Sequence, residues 1–164
     1  MERSDAIEVD LVGVRVELPS NNPIVLLRER EGDRFLPIWI GAAEAQAIAF
    51  FLQGIVTQRP MTHDLMKDVI EALGGRLERI DVTDLQDTTF FAELSLRGVE
   101  EKIVSSRPSD AIALAVRMGA RIFVAQRVLD EAGIVIRDED EEREVQKFRE
   151  FIEQVSPEDF VEPQ

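Results

Sequence analysis

The stretch Glu101 to Gln126, "EKIVSSRPSDAIALAVRMGARIFVAQ", carries the decision about the fold. "EKIVSSR" reads as a strand. Pro108 then stands where a first helical turn tolerates a residue without an N–H, and Gly119 stands where the helix it opens would end. "RIFVAQ" reads as a further strand, and "RVLDEAG" after it as a short helical turn.

Upstream, "RLERIDVTDL" and "TTFFAELSLR" make two more strands, with turn signals at "QD" and "RGVE", so three strands precede the helix. The first third of the chain has the same rhythm. Residues 7 to 18 alternate apolar and polar, the period-2 mark of a half-buried strand, and "PSNNP" turns the chain. "IVLLRER" and "RFLPIWI" follow, joined by "EGD", whose Gly32 suits a tight hairpin; an antiparallel meander is expected. Gly41 ends the last strand, and "AAEAQAIAFFLQG" reads as a buried helix with Glu44 in its first turn, where the helix dipole favours an acid. "LMKDVIEALGG" is an amphipathic helix with Leu65, Met66, Val69, Ile70 and Leu73 on one face and a Gly-Gly stop. Both halves thus run strand, strand, strand, helix, and both contain an Arg-Pro followed closely by an Asp, which raises an internal duplication. The class is α+β, with antiparallel or mixed sheet structure.

After "RDEDEERE" the apolar residues Val145, Phe148, Ile152 and Val155 recur at helical spacing, predicting a C-terminal amphipathic helix. The expected organisation is one α+β domain over 1–137 and an acidic helical extension over 138–164. That extension holds eleven acids and three bases, more than half of the chain's net charge of -14, so the body is only mildly acidic. Passive nucleic-acid binding draws on Lys and Arg neutralising phosphates, so the overall charge opposes it, while a local arginine cluster remains able to attract phosphate. With no cysteine there are no disulfides, thiolate metal sites or thiol nucleophiles. No long uncharged run predicts a membrane span, and charges interrupt the N-terminal apolar residues, so a cytoplasmic location is expected.

Two polar motifs stand out. In "RPMTHDL" (Arg59 to Leu65) lies the chain's one histidine. Thr62 reads as an N-cap with His63 and Asp64 in the first helical positions, a helix start that implies no chemistry. The alternative makes His63 a general base or a metal ligand beside a carboxylate, with Arg59 on a phosphate. In "SRPSDA", Ser106, Arg107, Ser109 and Asp110 open another helix and carry the same ambiguity. Brought together, the two Arg-Pro starts would form one pocket suited to phosphodiester chemistry. Glu44 is either on an exposed edge or held by a partner such as arginine. Trp39 and the phenylalanines fall mostly in patterns that predict core. Phosphate loops, nucleophile elbows, dinucleotide fingerprints and paired-histidine zinc motifs are absent.

"LPIWIGAAEAQAI", "RPMTHDLMKDVIEALG", "DTTFFAEL" and "SSRPSDAIALAVRMGARIFV" together resemble the bifunctional nuclease family of bacteria and plants, described as degrading both DNA and RNA, over roughly residues 7 to 137. The resemblance implies an α+β fold, self-association as a homodimer or higher homo-oligomer, DNA or RNA as substrate, no membrane partner, and phosphodiester hydrolysis. It implies catalytic roles for His63, Asp64, Asp110 and Glu44, and substrate binding by Arg59, Arg107, Thr62, Ser106 and Ser109. The cofactor stays open, with a divalent metal such as Mg as the candidate. Ser105 stands where the family often has an Asp, and Thr88 and Phe91 where it often has Asn and Tyr. The rival expectation is a non-enzymatic dimeric regulatory or scaffold module.

Overall fold

The computed structural model describes residues 5–17, 19–136, 143, 145–147 and 149–150. Three antiparallel strands open the chain: β1 (Ala6–Glu17), β2 (Asn22–Glu29) and β3 (Arg34–Trp39). Helices α1 (Ala42–Leu52) and α2 (Thr62–Ala72) follow. A second antiparallel run, β4 (Arg76–Gln86), β5 (Thr89–Arg97) and β6 (Glu101–Ser106), leads into α3 (Pro108–Met118), β7 (Arg121–Ala125), α4 (Gln126–Ala132) and the short β8 (Ile134–Val135). The α+β class is as the sequence predicts.

All eight strands join one mixed sheet in the order β6-β5-β4-β7-β1-β2-β3-β8. The two meanders do not pair with each other. β7 sits between them, parallel to β4 and antiparallel to β1, and welds them into one sheet. Its Ile122 and Val124 enter the main core, as strand alternation requires.

That core lies between the helices and one sheet face. Val25 and Leu27 of β2, Leu36 and Ile38 of β3, and Ile80 and Val82 of β4 meet Ile48 of α1 and Ile112 and Leu114 of α3. The opposite parity on β2 and β3 places Leu26 and Phe35 on the other face, where Val12, Ile136 and Val145 pack on them. Helix α3 is the central one: Ala111 to Ala115 are all fully buried, and it packs on α1, α2, β4, β5 and β7. Gly119, at φ 65, ends it, and the Ala120 N–H donates to the Ala115 carbonyl.

Three expectations change. The N-cap of α2 is Met61, not Thr62, which is the first helical residue; the Asp64 carboxylate, three residues on, accepts the Met61 N–H at 3.1 Å. The apolar face of α2 is only half used: Met66 and Ile70 pack on the core, while Leu65, Val69 and Leu73 are 54%, 49% and 83% exposed. The Arg-Pro motifs are not equivalent parts of a duplication either, since α1 follows β3 directly and Arg59-Pro60 opens the additional helix α2. Of the C-terminal helix, residues 143, 145–147 and 149–150 are helical, whereas Phe148, Ile152 and Val155 lie outside the described residues. Among the described residues no helix is long and apolar enough to cross a membrane.

Candidate functional site

The first turns of α1, α2 and α3 converge. Each helix carries one acid there, Glu44, Asp64 and Asp110, set by the preference of helix N-termini for negative charge. None of the three is left as a bare carboxylate.

Asp110 is the centre. His63, 6% exposed, brings Nε2 to 2.9 Å from Asp110 Oδ1, and Arg107 Nε donates to Oδ2 at 2.8 Å. Arg107 then reaches across to α1, where Nη2 donates to Glu44 Oε1 at 2.7 Å. Burial pushes the Asp110 carboxyl up, but the hydrogen bonds from His63 and Arg107 prevail and hold it below the usual carboxylate range. Arg107 is pushed up by its bond to Asp110 and then by that to Glu44. An ionised carboxylate only accepts, so His63 must present Nε2–H to Asp110, which in the neutral ring leaves the lone pair on Nδ1.

Asp64 faces away from this chain of contacts. Its Oδ1 accepts Arg117 Nε at 2.7 Å and its Oδ2 accepts the Met61 N–H. Burial raises its carboxyl, while the Arg117 bond and then the backbone bond lower it, with a net depression. Arg117 is the residue that sequence reasoning missed. Its side chain is 7% exposed, and Nη1 and Nη2 donate to the Ala113 and Ala47 carbonyls at 2.8 Å each, so one guanidinium ties α1, α2 and α3 together. The signal was available: an arginine two turns after Asp110 in an otherwise apolar helix shares that residue's face.

The structure thus brings Glu44, His63, Arg107 and Asp110 into one network and sets Asp64 in an adjoining one. Glu44 takes the arginine-held alternative, its side chain 15% exposed. Ser106 Oγ donates to the Arg107 carbonyl at 2.8 Å. Thr62 is exposed and, among the described residues, its hydroxyl makes no hydrogen bond. Arg59 is exposed as well; its carbonyl accepts Thr57 Oγ1 at 2.6 Å, and no described acid pairs with its guanidinium. Ser109 is 5% exposed beside Arg107. Trp39, expected in the core, is 56% exposed at the end of β3.

A divalent cation of the Mg type requires several free oxygen ligands. Here both oxygens of Asp110 and of Asp64 are engaged, Glu44 is tied to Arg107, and among the described residues no three His, Asp or Glu side chains converge on a cation position. The carboxylates are already paired with guanidinium and imidazole N–H groups, so the donor set as arranged does not fit one. What the arrangement offers instead is a carboxylate-oriented imidazole and two arginines whose donors are, among the described residues, not all used: Arg59, and Nη1 of Arg107, which makes none of the bonds above.

Residues 25–137 match the family model of the bifunctional nuclease domain. A protein of Mycobacterium tuberculosis strain H37Rv, named only as uncharacterized, is 50% identical over 162 residues, covering 93% of this chain and 97% of that protein. Bifunctional nuclease 1 of Oryza sativa subsp. indica is 28% identical over 120 residues, 71% of this chain and 36% of the rice protein. Bifunctional nuclease 2 of Arabidopsis thaliana is 29% identical over 128 residues, 74% of this chain and 39% of its own length.

Proposed function

The chain belongs to the bifunctional nuclease domain family, and from that premise we propose that it hydrolyses phosphodiester bonds of DNA or RNA where the starts of α1, α2 and α3 meet. The observation that carries the proposal is the His63–Asp110 contact of 2.9 Å, with Arg107 on the second oxygen of the same carboxylate. It joins the two Arg-Pro helix starts into one polar centre. In this reading Asp110 orients the imidazole and Nδ1 of His63 takes the proton of a water whose oxygen bonds to phosphorus; the P–O bond to one sugar oxygen breaks, that oxygen leaves with a proton from solvent, and Arg107 Nη1 and Arg59 offset charge developing on the phosphate. Asp64 is a positioning residue: with Arg117 it fixes the start of α2 and hence the place of His63.

The test is cleavage of a labelled single-stranded oligonucleotide by the purified chain and by His63→Ala, both checked for folding. Loss of cleavage with His63→Ala is expected, and cleavage at the wild-type rate would remove the site. Nucleic-acid binding should also weaken steeply as salt is added, because arginine contacts to phosphate release counterions.

A second reading, a non-enzymatic scaffold that self-associates, is favoured by the exposed apolar residues Leu65, Val69 and Leu73 along α2. A folded dimer with no nucleic-acid binding at low salt would support it against hydrolysis.

A further inference from the structure

On the other side of Arg107 lies a cavity of about 450 Å³, within the size range of small-ligand sites. It is built at the junction of four segments: the start of β2, the end of β3 with the start of α1, the first turn of α3, and the β4–β5 hairpin turn. Trp39, Arg107, Ser109, Thr88, Thr89 and Asn22 contribute to its wall, together with apolar residues of the same segments. Among the described residues no acid lines it, in a chain with 33 acids against 19 bases.

Four observations say what such a cavity suits. The indole of Trp39 is 56% exposed at its edge, an aromatic plane large enough to cover a nucleobase. Arg107 belongs both to this wall and to the Asp110–Glu44 network, and among the described residues its Nη1 makes no hydrogen bond. Ser109, 5% exposed, adds a hydroxyl, able both to donate and to accept, to the wall beside Arg107. The hairpin turn is strained where it meets the cavity: Asp87 and Thr88 have φ of 47 and 70, and a β-branched residue seldom occupies that region.

We propose that this cavity binds one nucleotide of an unpaired strand, the base against Trp39 and the adjoining phosphate on Arg107. The inference rests on the phosphodiester reading for its substrate class. It adds that single-stranded DNA or RNA is preferred, because in a duplex both faces of a base are covered by its stacked neighbours and none is free for the indole. Arg107, common to both sites, then sets the phosphate next to His63 and Asp110.

Trp39 is the chain's one tryptophan and there is no tyrosine, so its emission reports on this cavity. The experiment titrates the full chain with adenosine 5′-monophosphate, inorganic phosphate, a single-stranded oligonucleotide and its duplex. Saturable quenching by the monophosphate and the single strand, with little from phosphate and about tenfold weaker binding of the duplex, is expected. Calorimetry with Trp39→Leu, a substitution at an exposed position, should show the monophosphate binding about tenfold more weakly. Absence of quenching by both nucleotide probes, or equal affinity in Trp39→Leu, would overturn the subsite. Cleavage followed in the same samples separates the two ideas: cleavage without a Trp39 response overturns the subsite alone, and a response without cleavage supports the subsite and removes hydrolysis.

Discussion

His63 Nε2 lies 2.9 Å from Asp110 Oδ1 although the two stand 47 positions apart in the chain, so the starts of α2 and α3 are joined by one part-buried hydrogen bond. Asp110→Asn preserves the shape but removes the charge that orients the ring. Hydrolysis of a single-stranded oligonucleotide should fall by roughly a hundredfold or more, in keeping with the loss of an oriented base. Rates within threefold of wild type in a folded Asp110→Asn protein would exclude the pair from the chemistry.

Arg117 should matter to stability first. Arg117→Met strands the Asp64 carboxylate and two helix carbonyls, and a loss of about 2–3 kcal/mol in urea denaturation is expected. Arg117→Lys should recover only part of it, since one ammonium cannot match three contacts held by a planar fork. By contrast Arg97→Ala, which removes exposed ion pairs to Glu78 and Glu101, should cost under about 1 kcal/mol. Similar losses at the two arginines would contradict the helix-tying role.

Gly41 leaves room for Glu44. A Cβ at position 41 would come within 2.3 Å of Glu44 Oε2, the end of a flexible side chain that can swing away. Gly41→Ala should therefore leave stability nearly unchanged yet free Arg107 from Glu44, and its effect on hydrolysis should match that of Glu44→Gln. Assays in which the two variants act in opposite directions would show that Glu44 does not work through Arg107.

Acid should loosen the helix junction. Asp64 and Asp110 are both held below the ordinary carboxyl range, where burial raises them and hydrogen bonds to Arg117, or to His63 and Arg107, more than compensate. A depressed folded pKa gives stability that is complete above the unfolded value of about 3.9 and is lost as pH falls through the lower folded value. Urea midpoints should drop between about pH 5 and 2, and Asp64→Asn should flatten part of that slope. A variant profile parallel to wild type throughout would show that Asp64 carries none of it.

The Thr88 turn stores strain. Thr88→Asn places a residue that tolerates the left-handed region at φ 70, and a gain of about 1 kcal/mol is expected from thermal or urea unfolding. If the threonine hydroxyl contacts a bound nucleotide, the same variant binds adenosine 5′-monophosphate more weakly while being more stable. Loss of stability would mean that the turn is not strained by the threonine side chain.

Much of this was written locally in the chain. Period-2 alternation marked β1, the Pro108 and Gly119 pair bounded α3, and glycines at 74 and 75 closed α2, because strand faces and helix ends are set by neighbours a few residues away. The sequence also determined which side chains opened the helices, and so which acids and arginines were available. Tertiary structure decided the rest. That β7 would stand between the two meanders, that His63 would meet Asp110, that Arg117 would be the partner of Asp64, and that Trp39 would edge a cavity all depend on contacts between segments far apart in the chain. Such contacts leave no periodic trace in the residues that make them. The motif "RPMTHDL" is a helix start by its own sequence, and only the packing of α2 on α3 gives its histidine a carboxylate partner.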